Sequence, residues 1–270
     1  MIENKQALTV GIKAAKHDIL LFTEANCEPM GKNWISAMAR NYTSRTNIIL
    51  GFCAYGYHKG FFHKLVAYDN LITGLQYISS ALTGNPYTGN GRNLSYRKDL
   101  FFAHKGYYKS LSLHAGDDDL FINESANAQN TWVEYSPESI TEMAKIDRFS
   151  MWKEMKVSRA ATQRYYKGWN LTFFRMESLS YFLFFIAVIT SIVMGILGNW
   201  LISILAGLLY IIRFSTKATI LHKSAKLLQQ KPVTGWLFFL ELLLPLFNLY
   251  VRIYRIFRGK NDYTFRLGNK

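Results

Sequence analysis

The chain has 270 residues and a formal net charge of +14; half of its residues are hydrophobic and 16% are aromatic. That length allows one or two domains, and a mean hydropathy near zero averages a mixed first part with an apolar last third. The positive charge does not read as a nucleic-acid footprint, because no basic run interleaves with a nucleic-acid module and the cations instead flank apolar segments.

Residues 5–16 (KQALTVGIKAAK) predict an amphipathic helix with Leu8, Ile12 and Ala15 on one face. A short apolar run over 18–23 predicts a buried strand that empties into the turn Glu24-Ala-Asn-Cys-Glu-Pro29. Residues 31–40 read as a helix, 48–57 as one strand and 61–82 as a longer helix. Gly84-Asn-Pro-Tyr-Thr-Gly-Asn-Gly91 is a loop dense in backbone breakers. Asn93 to Arg97 then predicts a strand running into a helix start at 98–102. Residues 113–119 form a loop with three consecutive carboxylates, 132–135 a further strand, and 150–169 a basic, aromatic amphipathic segment. Alternating helices and short strands predict an α/β domain over 1–150.

From Ser178 to Ile212 the sequence has no Asp, Glu, Lys or Arg. A helix needs about 20 residues to cross the hydrocarbon core, so this run predicts two spans joined near Gly198-Asn199-Trp200. The second is expected to end near Ala218, with Arg213 and Lys217 snorkelling to the surface. Residues 217–232 read as a basic interface segment, and 236–250 as a third apolar segment that spans, re-enters or lies flat. A basic tail occupies 255–270. The cations around 145–175 and 217–231 place the first domain on the cytoplasmic side of a cell membrane, against anionic lipid. Cys27 and Cys53 are too few for a disulfide framework and fit a reduced compartment; the opening Met1-Ile-Glu-Asn-Lys is polar, and no apolar signal-peptide core follows it.

Three constellations carry possible chemistry. Glu24 and Asn26, two apart at a strand exit, offer oxygen ligands for a hard divalent cation; the alternative is a turn whose side chains cap the next segment. In Asn90-Gly-Arg-Asn-Leu-Ser-Tyr-Arg-Lys98, glycine-freed amides and Arg92 could meet a phosphate or sugar, or form an ordinary turn into a strand. In His114-Ala-Gly-Asp-Asp-Asp-Leu-Phe121, three adjacent carboxylates repel, which raises at least one pKa and suggests a general base; a solvated acidic loop is the alternative.

In order and spacing, these segments resemble the family 2 glycosyltransferases, inverting enzymes with a GT-A fold that use nucleotide sugars. KQALTVGIKAAKHDILLFTEANCEP resembles that family's stretch into its DxD-type motif, GNGRNLSYRKDLF its acceptor-side stretch, and GDDDLF its acidic base motif. Gln163-Arg-Tyr-Tyr-Lys167 falls where membrane-bound members carry Gln-x-x-Arg-Trp. The resemblance covers roughly residues 5 to 254 and implies a GT-A-like (Rossmann-like) fold followed by transmembrane helices.

The resemblance further implies that Asp118 deprotonates an acceptor hydroxyl, with Asp117 as runner-up, and that Glu24 and Asn26 hold Mg²⁺ or Mn²⁺. Lys5, Arg92, Asn93, Tyr96, Arg97, Asp119, Gln163, Tyr166 and Lys167 would contact donor or acceptor. The resemblance implies as partners a nucleotide-sugar donor, UDP-linked in that family's manner, and a lipid-linked or polysaccharide acceptor at the membrane, in cell-surface glycan synthesis. The chain departs from the family in three places. It has Glu24-Ala25-Asn26 for Asp-x-Asp, and it swaps the cation and aromatic at Tyr166 and Lys167. It also begins after the family's opening strand, so roughly a hundred residues are expected upstream. Those departures suggest a competing expectation, a degenerate, non-catalytic membrane protein that binds a glycan or partner. A transporter is disfavoured because few polar groups lie in the spans.

Overall fold

The computed structural model describes residues 2–113 and 115–258. His114 and most of the expected basic tail, Lys260 and Arg266 included, lie outside the described residues.

In chain order the elements are α1 (Ile2–Ala14), β1 (Ile19–Phe22), β2 (Cys27–Pro29), α2 (Trp34–Ala39), β3 (Ile48–Leu50), β4 (Cys53–Tyr55), α3 (Phe61–Leu82), β5 (Leu94–Arg97), α4 (Lys98–Ala103), α5 (Asp119–Ser125), β6 (Thr131–Val133), β7 (Thr141–Met143), α6 (Phe149–Thr162), α7 (Asn170–Leu197), α8 (Trp200–Leu227) and α9 (Leu237–Phe257). The result is a mixed α/β structure, mostly helical, with two small sheets. One has the order β1-β5-β3-β6 and the other β2-β7-β4. In the first, β5 is antiparallel to both β1 and β3, and β3 runs parallel to β6.

The expected single strand over 48–57 is two strands in different sheets. The break falls at Gly51-Phe52. Gly51 N–H donates to the Asn93 carbonyl (3.0 Å), and a Cβ at Gly51 would lie 2.5 Å from the Asn93 side chain. The amide of Asn93 fills that space and ties the layers together. Its Nδ2 donates to the carbonyls of Phe52 (2.8 Å) and Ser139 (2.7 Å), and its Oδ1 accepts from Trp34 Nε1 (3.1 Å). The turn at 24–29 contains β2, whose partner β7 is far along the chain (Cys27 opposite Met143).

Three helices are long and apolar enough to cross a membrane: Asn170–Leu197, Trp200–Leu227 and Thr234–Phe257. The expected interface segment after 217 is instead a continuation of α8. Its last turns bury Leu221 and Ala225, with Leu228 beyond them, in the same apolar core as Leu65, Ile78 and Trp152. The following extended stretch docks too. Gln230 Oε1 accepts from Tyr55 N (3.1 Å) and Asn70 Nδ2 (2.9 Å), while its Nε2 donates to the Ala67 carbonyl (2.6 Å).

Helix α9 is held along its whole length by α3 and α6. Trp236, just before it, meets Phe61 edge-on (5.7 Å) and lies under the Lys64 ammonium (3.9 Å). Phe247 stacks on Trp152 (4.3 Å), Lys153 sits over Tyr254 (4.2 Å), and Arg258 pairs with Glu154. One face buries Leu237, Leu240, Glu241, Leu244 and Val251; the opposite face exposes Phe238, Phe239, Leu246, Leu249, Ile253 and Phe257. Arg213 and Lys217 do not snorkel alone: both reach Glu241 Oε1, at 3.0 and 2.6 Å, and so pin α9 to α8. Glu241 is buried, and a buried carboxylate persists only with such partners.

Candidate active site

The acidic triplet sits where α5 begins, and each carboxylate has a different environment. Asp118 caps the helix, its Oδ1 accepting from Asp119 N (2.6 Å). Its Oδ2 accepts from Gly91 N (2.8 Å), which brings the glycine-rich loop against the triplet. A Cβ at Gly91 would lie 3.3 Å from Asp118 Cβ, so a side chain there would crowd this contact.

Asp119 is buried and fully engaged. Its Oδ1 accepts from Leu120 N (2.7 Å), and its Oδ2 accepts from Tyr166 Oη (2.8 Å) and from the Thr162 hydroxyl. Burial and the neighbouring Asp118 still raise its pKa. Tyr166 also meets the Thr88 hydroxyl (3.0 Å), so one phenol joins the turn after α6, the triplet and the glycine-rich loop. Burial, followed by Asp119, pushes that phenol well above its ordinary value. Burial and then Asp118 push Asp117 up to about 6, partly offset by Lys5.

These groups line a cavity of about 860 Å³ that runs from Thr23 and Glu24 past the triplet to residues of α7 and α9. Arg92 and Arg159 also line it. Arg92 Nε donates to Glu24 Oε2 (2.9 Å), and Arg159 Nη2 donates to the Gly89 carbonyl (3.0 Å). Burial works against the Arg159 charge, but Tyr166, Asp118 and Asp119 more than offset it and hold the pKa above its ordinary value. Lys156 and Asp69 form an ion pair on the wall (2.5 Å). Tyr96 forms part of the lining, stacked on Phe22 (4.5 Å), with its hydroxyl near Tyr107 Oη (3.3 Å).

Of the residues expected to contact donor or acceptor, Arg92, Tyr96, Asp119, Gln163 and Tyr166 line this cavity. Lys5, Asn93, Arg97 and Lys167 do not, and for three of them the reason is that their donors are spent on the fold. Lys5 Nζ donates to the carbonyls of Ser110 (2.6 Å), Leu113 (3.2 Å) and Ala115 (2.7 Å), clamping the loop ahead of the triplet from behind. Burial lowers its pKa to about 8 against the pull of the three aspartates. Asn93 is the inter-sheet tie described above. Arg97 donates to the carbonyls of Thr46 (3.0 Å) and Thr43 (2.9 Å). Lys167 is exposed, and it is its backbone that meets Asn123.

Glu24 and Asn26 do not fit a cation held by the protein. Glu24 is neutralised by Arg92, and Asn26 lies off the cavity lining with its Oδ1 facing Cys27 Sγ (3.4 Å). Among the described residues no cluster of three His, Cys, Asp or Glu side chains forms a metal-binding group.

Sequence reasoning missed Arg159 and Thr162 as site residues, reading Arg159 only as a membrane-flanking cation. The available signal was helical spacing: Arg159 lies three residues ahead of Thr162 and four ahead of Gln163, the residue that caps α6, which puts it on the side of the helix facing both.

No protein-family model matches the chain, and no curated protein matches it. Among solved structures, it is similar to a mannosyltransferase from Pyrobaculum calidifontis, in complex with GDP-mannose and Mn²⁺. That likeness covers 95% of this chain and 67% of the other, at 12% sequence identity and a TM-score of 0.49, too distant for any residue role to be carried across.

Proposed function

We propose that this chain is the catalytic and membrane-anchoring part of a glycosyltransferase that moves a sugar from a nucleotide diphosphate to a membrane-borne acceptor. The observation that carries the reading is the division of labour in the triplet. One carboxylate is locked by Thr162 and Tyr166, one is oriented by backbone amides, and one is raised toward neutrality, all facing a cavity with two guanidinium groups. Environments that push adjacent carboxylates apart are what acid–base work at neutral pH requires.

In this mechanism Arg92 and Arg159 face the donor's diphosphate. Asp118, oriented by Gly91 and Asp119 amides and keeping lone pairs free, accepts the proton of the acceptor hydroxyl. The new C–O bond forms at the anomeric carbon on the face opposite the leaving group, inverting it. The nucleoside diphosphate leaves with the bonding electrons, its charge met by the guanidinium groups. Asp117 is the second candidate base. A GT-A-like arrangement, a UDP-type donor and a glycan product at the cell surface belong to the same proposal, as do an inner-membrane location and a cytoplasm-facing cavity. On this reading α7 and α8 cross the bilayer and α9 lies flat in the interface.

Removing a general base costs about 100-fold or more in rate. Asp118→Asn should therefore abolish transfer from a panel of nucleotide sugars to membrane lipid while the protein stays folded, at a cost of about 1–2 kcal/mol because the amide keeps only one of the two acceptor oxygens. Full transfer by that variant would rule out the assignment. The poor fit of Glu24 and Asn26 to a cation favours a second reading, a degenerate binding protein. It predicts nucleotide-sugar binding without turnover by the unaltered chain.

A further inference from the structure

The two cysteines of the chain, 26 positions apart, meet in the smaller sheet. Cys27 opens β2 and Cys53 opens β4, the strands on either side of β7. Both are buried free thiols, and their Sγ atoms lie 3.8 Å apart. The Asn26 side chain is the other close neighbour of Cys27 Sγ, at 3.4 Å.

The two sulfurs are not equivalent. A hydrogen bond from Cys53 is the strongest influence on Cys27; with the Arg92 guanidinium, it holds that thiol below its ordinary pKa against the effect of burial. The same bond, together with burial, pushes the Cys53 thiol up. Cys27 is therefore the better nucleophile and Cys53 keeps the proton. Cys27 is also the more accessible, 8% exposed against 2%. Across the ladder it faces Met143, a residue of the cavity lining.

The strands that carry them differ in how firmly they are held. Strand β4 is buried throughout, and the Cys53 carbonyl accepts from Asn70 Nδ2 (2.9 Å). Two of the three β2 residues, Glu28 and Pro29, are exposed. A disulfide needs the sulfurs to close from 3.8 Å to about 2.05 Å. That movement falls on β2. It carries the preceding turn with it, because Cys27 N donates to the Glu24 carbonyl (3.0 Å), and the Glu24 carboxylate pairs with Arg92 on the cavity lining.

We propose that Cys27 and Cys53 form a reversible redox pair, in which a peroxide oxidises Cys27, Cys53 resolves it, and the resulting disulfide shifts the Glu24–Arg92 contact at the cavity. The Cys27 thiolate attacks one peroxide oxygen, the O–O bond breaks, and hydroxide leaves as water with the Cys27 proton. The sulfenic acid so formed is attacked by the Cys53 sulfur; the S–O bond breaks, and the second hydroxide leaves as water with the Cys53 proton. Two thiols are oxidised and one peroxide is reduced to two waters. A dithiol reverses the step by exchange. Such transient disulfides are the kind a reducing compartment permits.

The test treats the full chain in phosphatidylcholine nanodiscs with a small excess of hydrogen peroxide. The cysteines fall in different tryptic peptides, one after Lys16 and one after Arg45, so mass spectrometry reads the bond directly. The folded chain should give a cross-linked peptide pair that dithiothreitol separates. In Cys53→Ser, dimedone should trap Cys27 as its sulfenic acid; in Cys27→Ser, Cys53 should react about tenfold more slowly or less. Hydrogen exchange over 24–29 should differ between the oxidised and reduced chains. Oxidation of Cys27 to the sulfinic acid without a cross-link would overturn the pair, as would a cross-link that forms only in urea or faster reaction at Cys53. Unchanged exchange at the turn of the cross-linked chain would overturn the link to the cavity. None of these readouts involves sugar transfer, so they stand or fall apart from the transferase reading.

Discussion

Asp117 shows how a candidate site trades stability for chemistry. Its pKa of about 6 lies above the value of about 4 in an unfolded chain. Between those values the folded state binds more protons than the unfolded state, so stability falls as pH rises from about 4 through 6 and then levels off. Asp117→Asn should therefore raise stability by about 2 kcal/mol at pH 7.5 and by almost nothing near pH 4. Melting curves at the two pH values in the absence of nucleotide check this; an equal shift at both would mean the carboxyl is not raised. Lys5 acts from the other side of the loop. Lys5→Met leaves the carbonyls of Ser110, Leu113 and Ala115 without their donor and should cost about 3 kcal/mol. Hydrogen exchange should show the loosening confined mainly to the loop ahead of the triplet.

At the scale of elements, the site is an agreement between α5, the glycine-rich loop and the turn after α6, reached through Asp119. Tyr166→Phe and Thr162→Val remove two donors to the same oxygen. In a double-mutant cycle their effects on stability should be coupled by about 1 kcal/mol, and additive effects would show that the contacts are independent. How much of this was legible in the sequence depends on where the determining information lies. Helix α3 could be read end to end because its apolar pattern runs unbroken between Gly60 and Gly84. Strand β5, the acidic triplet and Tyr166 could be found because local spacing and motif order mark them. Strands β2 and β7 could not, since each is only three residues long and exists through its partner. The roles of Lys5 and Asn93 were hidden for a related reason. A polar residue in a motif reads as ligand-facing, and only the fold reveals that its donors point into the protein.

For the whole molecule, the placement of α9 decides how the proposed anchor would meet a bilayer. Composition alone gives three candidate spans, but α9 is attached to α3 and α6 from Trp236 to Arg258. A helix of that length cannot both cross about 30 Å of hydrocarbon and lie along a polar domain. Cysteines placed at Phe238 and at Phe257, near the two ends of α9, should be modified in sealed vesicles from the same side as one at the exposed Tyr108. A cysteine at Leu197, at the turn between α7 and α8, should be modified only from the opposite side. If the two ends of α9 label from different sides, the flat placement is wrong.

The docking of Leu221, Ala225, Leu228 and Gln230 among residues of α3 and the strands bears on the order of events during synthesis. The first half of the chain leaves the ribosome with a hole in its centre that only the last third can fill. On the proposed membrane placement, α7 and α8 will by then have entered the bilayer as a hairpin. The α/β half would stay open until that insertion is done and would close on the returning strand of polypeptide. A release of the nascent chain before Leu221 should yield protease-sensitive material rather than a smaller folded domain.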